Sequence, residues 1–560
     1  MNTSWSDPIL TCADAKAFEA QLFGGDEEQE WAAMRRAGAG VAAAALEDLK
    51  EIGGFSASGR VLVLVGKGNN GGDALLATAT ILAAHPAATA DVVFAPGERA
   101  LRPLAARAWQ CLLLSAPERV RALDKALLTV AASVSERPDH VAASVNEWPG
   151  QVAASVSGRP DRVAASVSEW LPAYDLCVDG IFGFQFHPPM DAATAGLLRE
   201  VNSQPSIRLR AAVDLPSGLG GEIAFRADFT YATGSVKVPL LEDRSRAMVG
   251  RIRYIDLGFF DRPGPEGGAT AEGAAAKAPL QVLKPCMLAP LAALRPPPSD
   301  KRTFGHLFVV AGSRSYPGAA LMSVRSALRS GVGLVTAFVP ESLVPAFAAC
   351  APEAIWVGWP ETPEGGLALE GMHLLRERLG RATALVMGCG LGPEPETHTL
   401  AGEIVKLADV PVVLDADALQ PPVLAAARGK QVICLPHAGE FKRLSGGREA
   451  GPGALRAVAK ETGATIVLKG PVTRISDGGR VYHSLFGGPV LARGGSGDLL
   501  AGLTGGLLAQ TPQDTLLAAC RGVVWHGMAA DLLARDRGQV AVQATQLLDY
   551  LSAALRDSAC

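Results

Sequence analysis

Short apolar runs alternate along this chain with longer segments in which apolar residues recur every three or four positions. In the first half the runs Val61–Val65, Asp91–Ala95, Leu176–Asp179, Arg210–Asp214 and Phe229–Ala232 predict strands. In the second half Leu307–Ala311, Leu334–Val339, Ala384–Met387, Val412–Asp415, Gln431–Leu435 and Thr465–Lys469 do the same. Between them lie segments of helical period, among them Asp73–His85 and the stretch that follows Asp498. Strands alternating with helices predict an α/β fold with mostly parallel sheets and helices on both faces. Ligands of such sheets bind beyond the carboxyl ends of the strands.

The alternation is broken by PGPEGGATAEGAAAKAP, residues 263–279, which reads as a linker. It divides the chain into expected domains 1–262 and 280–560. A second interruption is a repeat. VAASVSERPDH, VAASVNEWPGQ, VAASVSGRPDR and VAASVSEWLP begin at Val130, Val141, Val152 and Val163. Pro138, Pro149, Pro160 and Pro172 fall in every unit, so no continuous helix is expected across 130–172. The segment reads as a surface insertion that arose by duplication.

With 560 residues, two or more cores are expected. A formal net charge of −4 offers no electrostatic case for nucleic acid or an anionic membrane. Nine scattered cysteines without a C-x-x-C suit reduced thiols in the cytoplasm better than a disulfide framework or a zinc site. No signal peptide is recognised at the start, and no uninterrupted apolar run is long enough to cross a bilayer.

Two glycine-rich loops carry the clearest chemistry. In LARGGSGDLLAG (491–502), Gly494, Gly495, Ser496 and Gly497 offer bare amides at the expected start of a helix. Free N–H groups and the helix dipole make that an anion hole, with Asp498 as a base inside it. The competing reading is a tight turn capped by Asp498. In VLVLVGKGNNGGDALL, Gly66, Gly68 and Gly71 satisfy G-x-G-x-x-G between a strand and a helix. Asn69, Asn70 and Asp73 in that loop suit a polyhydroxylated ligand or a hard cation better than a pyrophosphate. No G-x-x-x-x-G-K-[ST] occurs, so a Walker-type site is not expected.

Further candidates stand at strand ends. Asn70, Asp179 and Ser217 offer amide, carboxylate and hydroxyl oxygens that would form a cation-sized hole if their strands are neighbours. The alternative is that each caps its own turn. Thr233 and Lys237 follow in TYATGSVKVPLL. In the second half, His437 and Glu440 either orient a substrate or belong to an ordinary turn. Asp415 and Asp417 are expected to point the same way from a strand end, to hold Mg²⁺ through water or simply to cap a turn. Lys469 is either a phosphate partner or a surface charge.

Taken in order, GKGNNGGD, VDGIFG and VDLPSGL resemble the amino-terminal YjeF domain, the NAD(P)H-hydrate epimerase. AGS…YPGA, GCGLGP, DADAL, LPHAGEFKRL, VLKG and GGSGD resemble the carboxy-terminal YjeF domain, the ADP-dependent NAD(P)H-hydrate dehydratase of the ribokinase-like superfamily. The resemblance implies two three-layer α/β/α domains, Rossmann-like and then ribokinase-like. It also implies a bifunctional repair activity on NADH and NADPH hydrated at C6 of the nicotinamide ring. One domain would interconvert the R and S hydrates, and the other would dehydrate the S form at the expense of ADP.

Carried over by residue, Asn69, Asn70, Gly71, Gly72, Asp73, Gly183, Phe184, Gln185, Phe186, His187, Pro188 and Pro189 would line the epimerase site. Asp214 would contact the substrate as candidate base, and Asn70, Asp179 and Ser217 would bind K⁺. Ala319, Gly392, His437 and Asp498 would touch the hydrate in the dehydratase. Lys469, Gly470, Pro471, Val472, Thr473 and Gly497 would hold the nucleotide, with Mg²⁺ serving it and Asp498 acting as base. Cys389 stands where the family's GPGLG has proline, which bears on loop rigidity more than on chemistry. Ala74 stands where a glycine usually follows GGD. A homo-oligomer is expected, with no nucleic acid or membrane partner. The alternative is a ribokinase-like small-molecule kinase with a non-catalytic N-terminal scaffold.

Overall fold

The computed structural model describes residues 5–95, 101–123, 173–261 and 278–558. The repeats at 130–172 and nearly all of the linker at 263–279 lie outside the described residues. The chain forms two compact units, Ile9–Arg262 and Pro263–Cys560 with Met1–Pro8. The first eight residues thus group with the C-terminal unit, where the sequence reading had placed them in the first. The reason is strand pairing: in β1 (Ser6–Leu10), Ser6, Asp7 and Pro8 pair antiparallel with Leu283, Val282 and Gln281.

The strands of the first unit's sheet are β2 (Arg60–Val65), β3 (Thr89–Phe94), β4 (Val120–Leu123), β5 (Leu176–Gly180), β6 (Arg210–Val213), β7 (Phe229–Thr233) and β9 (Arg251–Ile255); β8 (Val236–Lys237) lies outside it. Their order is β4-β3-β2-β5-β6-β7-β9, and every pair is parallel. Central strands buried on both faces read as continuous apolar runs, which is why RVLVLV was legible. One face packs on helices Glu27–Leu49, Asn69–Ala84 and Pro103–Ser115, the other on helix Ala192–Ser203. The order reverses direction around β2 and β5, so their carboxyl ends open a crevice.

The second unit has β10 (Leu280–Leu283), β11 (His306–Val310), β12 (Leu334–Pro340), β13 (Ile355–Trp359), β14 (Ala384–Met387), β15 (Val412–Leu414), β16 (Val432–Cys434), β17 (Thr465–Leu468), β18 (Thr473–Ser476) and β19 (Val481–Ser484). Their order is β13-β12-β11-β14-β15-β16-β17-β18-β19-β10. Pairing is parallel from β13 to β17, and β18 pairs antiparallel with β17 and β19. Separate apolar clusters cover the two faces, giving three layers. Helix Thr515–Arg537 is long and apolar enough for a membrane span by composition, yet 78% of its apolar window is buried inside the unit. It is a core helix. The eight described cysteines are free thiols.

Candidate functional sites

In the first unit the helix begins at Asn69, four residues before the expected Asp73. Asn69 and Asn70 therefore belong to its first turn, and Gly68 is its cap. The glycines that precede and enter it are forced by contact. A Cβ on Gly66 would lie 1.8 Å from the Ile181 carbonyl oxygen, and one on Gly71 2.2 Å from that of Gly66. The turn is thus pressed against the chain leaving β5.

A cavity of about 320 Å³ opens there. Of the expected substrate residues, Asn69, Asn70, Asp73, Gly183, Phe184, Gln185, Phe186 and Asp214 line it. Gly71 and Gly72 instead pack behind it, with Met34 Sδ 2.5 Å from where a Gly72 Cβ would sit. His187, Pro188 and Pro189 are exposed and outside its lining. Phe182 stacks on Phe186 at 4.9 Å, adding an apolar wall.

Asp214 follows β6 with a φ of 66°, a conformation uncommon for a residue with a Cβ. It aims the carboxylate at the cavity, where Oδ1 forms a buried ion pair with Lys237. Burial raises the Asp214 carboxyl, and Lys237 opposes that rise. Oδ2 makes no hydrogen bond of ordinary geometry. Asp73 is raised well above the usual carboxylate range by burial, with Asp214 and Glu19 adding to it.

Two of the three expected oxygen donors, Asp179 and Ser217, meet directly. Asp179 accepts hydrogen bonds from Ser217 Oγ (2.7 Å), Ser217 N (2.8 Å) and Ile181 N (3.2 Å). Asn70 Nδ2 donates to the Val213 carbonyl at 2.9 Å, fixing its amide. Asp179 is fully buried and has no ion-pair partner among the described residues. Burial lifts its carboxyl to about 6 against the Ser217 and Ile181 hydrogen bonds. A buried carboxylate held by neutral donors, with no cation beside it among the described residues, is of the oxygen-donor chemistry that a hard cation takes.

In the second unit, helix Ser496–Gln510 starts where the sequence placed it, and Asp498 lies in its first turn. Gly495, with a φ of 91°, makes the entry turn. A Cβ on Gly497 would stand 3.4 Å from Lys469 Nζ and 3.7 Å from Asp415 Oδ2, so loop, lysine and carboxylate share one pocket floor. Lys469 Nζ bonds Asp415 Oδ1 at 2.7 Å. Burial draws the Lys469 ammonium down, but Asp415 and then Glu440 outweigh it and hold it above the usual lysine value.

Asp415 and Asp417 do not point one way. Ala416, at a φ of 46°, turns the chain between them into a 3₁₀ turn, so strand alternation ends. Asp415 takes Lys469, while Asp417 accepts the Gly392 amide at 2.9 Å. His437 and Glu440 form a reciprocal helix cap: His437 Nδ1 accepts from Gly439 N (3.0 Å), and Glu440 accepts the His437 amide (2.8 Å). The imidazole is 62% exposed. Ala319 is half-buried beside Gly390, whereas Ala320 is fully buried. Gly470, Pro471 and Val472 form the β17–β18 turn, and Thr473 opens β18.

Cys389 is a correction. Its Sγ and carboxylate oxygens of Asp415 and Asp498 lie within 4.8 Å of one another. Besides its place in the loop, the residue thus stands beside two of the candidate site's carboxylates. Burial and then Asp415 raise the Asp498 carboxyl to about 6; the Cys389 thiol's hydrogen bond and Lys469 oppose the rise, and Asp417 adds to it. Sequence reasoning also missed Glu19, Lys67 and Arg102, which line the first unit's cavity. Glu19 lies in an ordinary helix between Phe18 and Ala20, and no local motif marks it.

Residues 31–238 match the family model for the YjeF-related protein N-terminus, and residues 307–553 that for NAD(P)H-hydrate dehydratase. The bifunctional NAD(P)H-hydrate repair enzyme Nnr of Gloeobacter violaceus is 34% identical over 557 residues, 96% of each chain. The enzyme of that name from Mycobacterium tuberculosis is 32% identical over 495 residues, covering 85% of this chain and 84% of its own. Among solved structures, the ADP/ATP-dependent NAD(P)H-hydrate dehydratase of Bacillus subtilis, co-crystallised with ATP/Mg²⁺, is 28% identical. That match covers 48% of this chain and 94% of its own, with a TM-score of 0.41. With both units matched end to end in full-length relatives, the chain belongs to the bifunctional NAD(P)H-hydrate repair enzyme family.

Proposed function

We propose that the two units perform successive repairs of hydrated NAD(P)H. The first interconverts the R and S hydrates; the second dehydrates the S form while converting ADP to AMP and phosphate. The observation that carries this is Asp498, a part-buried carboxyl within a glycine-lined helix start, beside Lys469. Hydroxide leaves poorly from the hydrated ring. Asp498 takes the hydrate's hydroxyl proton as that oxygen attacks the terminal phosphoryl of ADP. The amides of Gly495, Ser496 and Gly497 and the Lys469 ammonium steady the phosphoryl charge. The ring nitrogen's electron pair then expels phosphate from C6, and loss of a proton from C5 to solvent restores the double bond of the ring.

Ala319, Gly392 and His437 would meet the hydrate, and Lys469 to Thr473 the AMP part. Asp417 supplies an oxygen donor of the kind Mg²⁺ accepts, through water, beside nucleotide phosphates, and the ion would neutralise charge there. In the first unit Asn70, Asp179 and Ser217 would hold K⁺, whose charge would offset the buried Asp179 carboxylate. Domains over 9–262 and 280–560, with the first eight residues joining the second, a homo-oligomeric assembly and a cytoplasmic location complete the reading.

The test is product analysis with pure S hydrate, ADP and Mg²⁺. NADH, AMP and phosphate in equal amounts are expected. Accumulation of a phosphorylated hydrate without NADH would mark a small-molecule kinase instead.

A further inference from the structure

Two carboxyls, Glu19 and Glu30, face the first unit's cavity from helices outside the strand-end motifs. Glu19, on helix Cys12–Phe23, lines that cavity together with Asp73, Asp214 and Lys237. Asp214 and Lys237 come from the ends of β6 and β7–β8, are both buried, and are paired with each other. Glu19 comes from a separate element, has no ion-pair partner among the described residues, and is only part-buried. It can therefore exchange its proton with water.

We infer that Glu19 is the general acid of epimerisation, acting opposite in role to Asp214, the general base. This rests on the epimerase reading of the unit. The hydrate carries its hydroxyl on C6, which is bonded to the ring nitrogen N1. Asp214 accepts the hydroxyl proton, the C6–O bond becomes a carbonyl, and the C6–N1 bond breaks. Its electron pair passes to N1, which takes a proton from Glu19. Rotation about C5–C6 presents the other face of the aldehyde. N1 then attacks that face and returns its proton to Glu19, while the oxygen recovers its own from Asp214. Nothing is consumed, and both carboxyls end as they began.

The surroundings assign the two roles. Lys237 stabilises the ionised form of Asp214. Glu19 faces Lys237 and Asp214, Glu30 from helix Glu27–Leu49, and Asp73 from helix Asn69–Ala84; Lys67 and Arg102 line the same cavity. Burial raises the Glu19 carboxyl to about 7, with Lys237 opposing and Asp214 and Glu30 adding. A carboxyl poised near neutrality beside a cation-paired one is the arrangement of an acid–base pair. Asp73 shares the cavity but is buried, without Glu19's access to solvent.

The experiment follows epimerisation of pure R hydrate by the full chain, its Glu19→Gln and its Glu19→Asp variants, over a pH range of about 5 to 9. Dehydration of pure S hydrate by the same samples reports that the second unit is intact, and circular dichroism with thermal unfolding reports that the first unit is folded. The parent's kcat should fall as pH rises through about 7. Glu19→Gln should lower kcat by about 10²–10⁴-fold and abolish that alkaline limb. Glu19→Asp should keep the limb. A Glu19→Gln variant with the parental rate would overturn the assignment. So would one that is slower at every pH with the limb intact, since Glu19 would then only shape the cavity. A parent that leaves R hydrate unchanged would overturn the epimerase reading itself, a separate outcome.

Discussion

Asp498 shows how position sets the chemistry of one side chain. On an open surface its carboxyl would be ionised throughout the physiological range. Here burial and Asp415 lift it to about 6, against Cys389 and Lys469. A general base works only when ionised, so dehydration should rise with pH through about 6 and level off above it. Asp498→Asn should lose that step by about 10²–10⁴-fold while R hydrate is still epimerised. Near-parental NADH recovery from S hydrate by this variant would remove Asp498 from the role. Cys389→Ala should shift the dehydration limb upward, because the thiol's hydrogen bond stabilises the ionised Asp498; the same pH series measures it.

At the scale of elements, the crevice depends on close approach between the helix starting at Asn69 and the loop leaving β5. A Cβ on Gly183 would lie 2.4 Å from Asn70 Oδ1. Gly183→Ala should therefore displace the Asn70 amide, weaken epimerisation and blunt its response to K⁺. Rates on R hydrate over a K⁺ series check this; parental rates and K⁺ response would place the cation elsewhere. The central parallel strands were legible because strands buried on both faces must be apolar throughout, as in RVLVLV and HLFVV. The strands β18 and β19, with sequences TRIS and VYHS, were not. They are short antiparallel members whose polar residues break any apolar run. The glycine turns announced both sites, since their spacing encodes close backbone contact. Glu19 and the Cys389–Asp498 contact were invisible, because each arises from elements distant in sequence. The expected pairing of Asp415 with Asp417 failed at Ala416, whose positive φ no sequence pattern signals.

Across the whole molecule, each unit has its own sheet, its own apolar clusters and its own site. The relatives carry both units in one chain, and the chemistry gives the reason for joining them. A dehydratase that accepts only the S hydrate leaves the R form stranded unless an epimerase feeds it. The direct measurement is NADH recovered from a mixture of R and S hydrates with excess ADP, Mg²⁺ and K⁺, followed by nicotinamide absorbance to completion. The parent chain should recover both epimers. Asp214→Asn should recover the S fraction rapidly and then stop or slow sharply, and Asp498→Asn should recover almost none. A parent chain that halts at the S fraction would contradict the account.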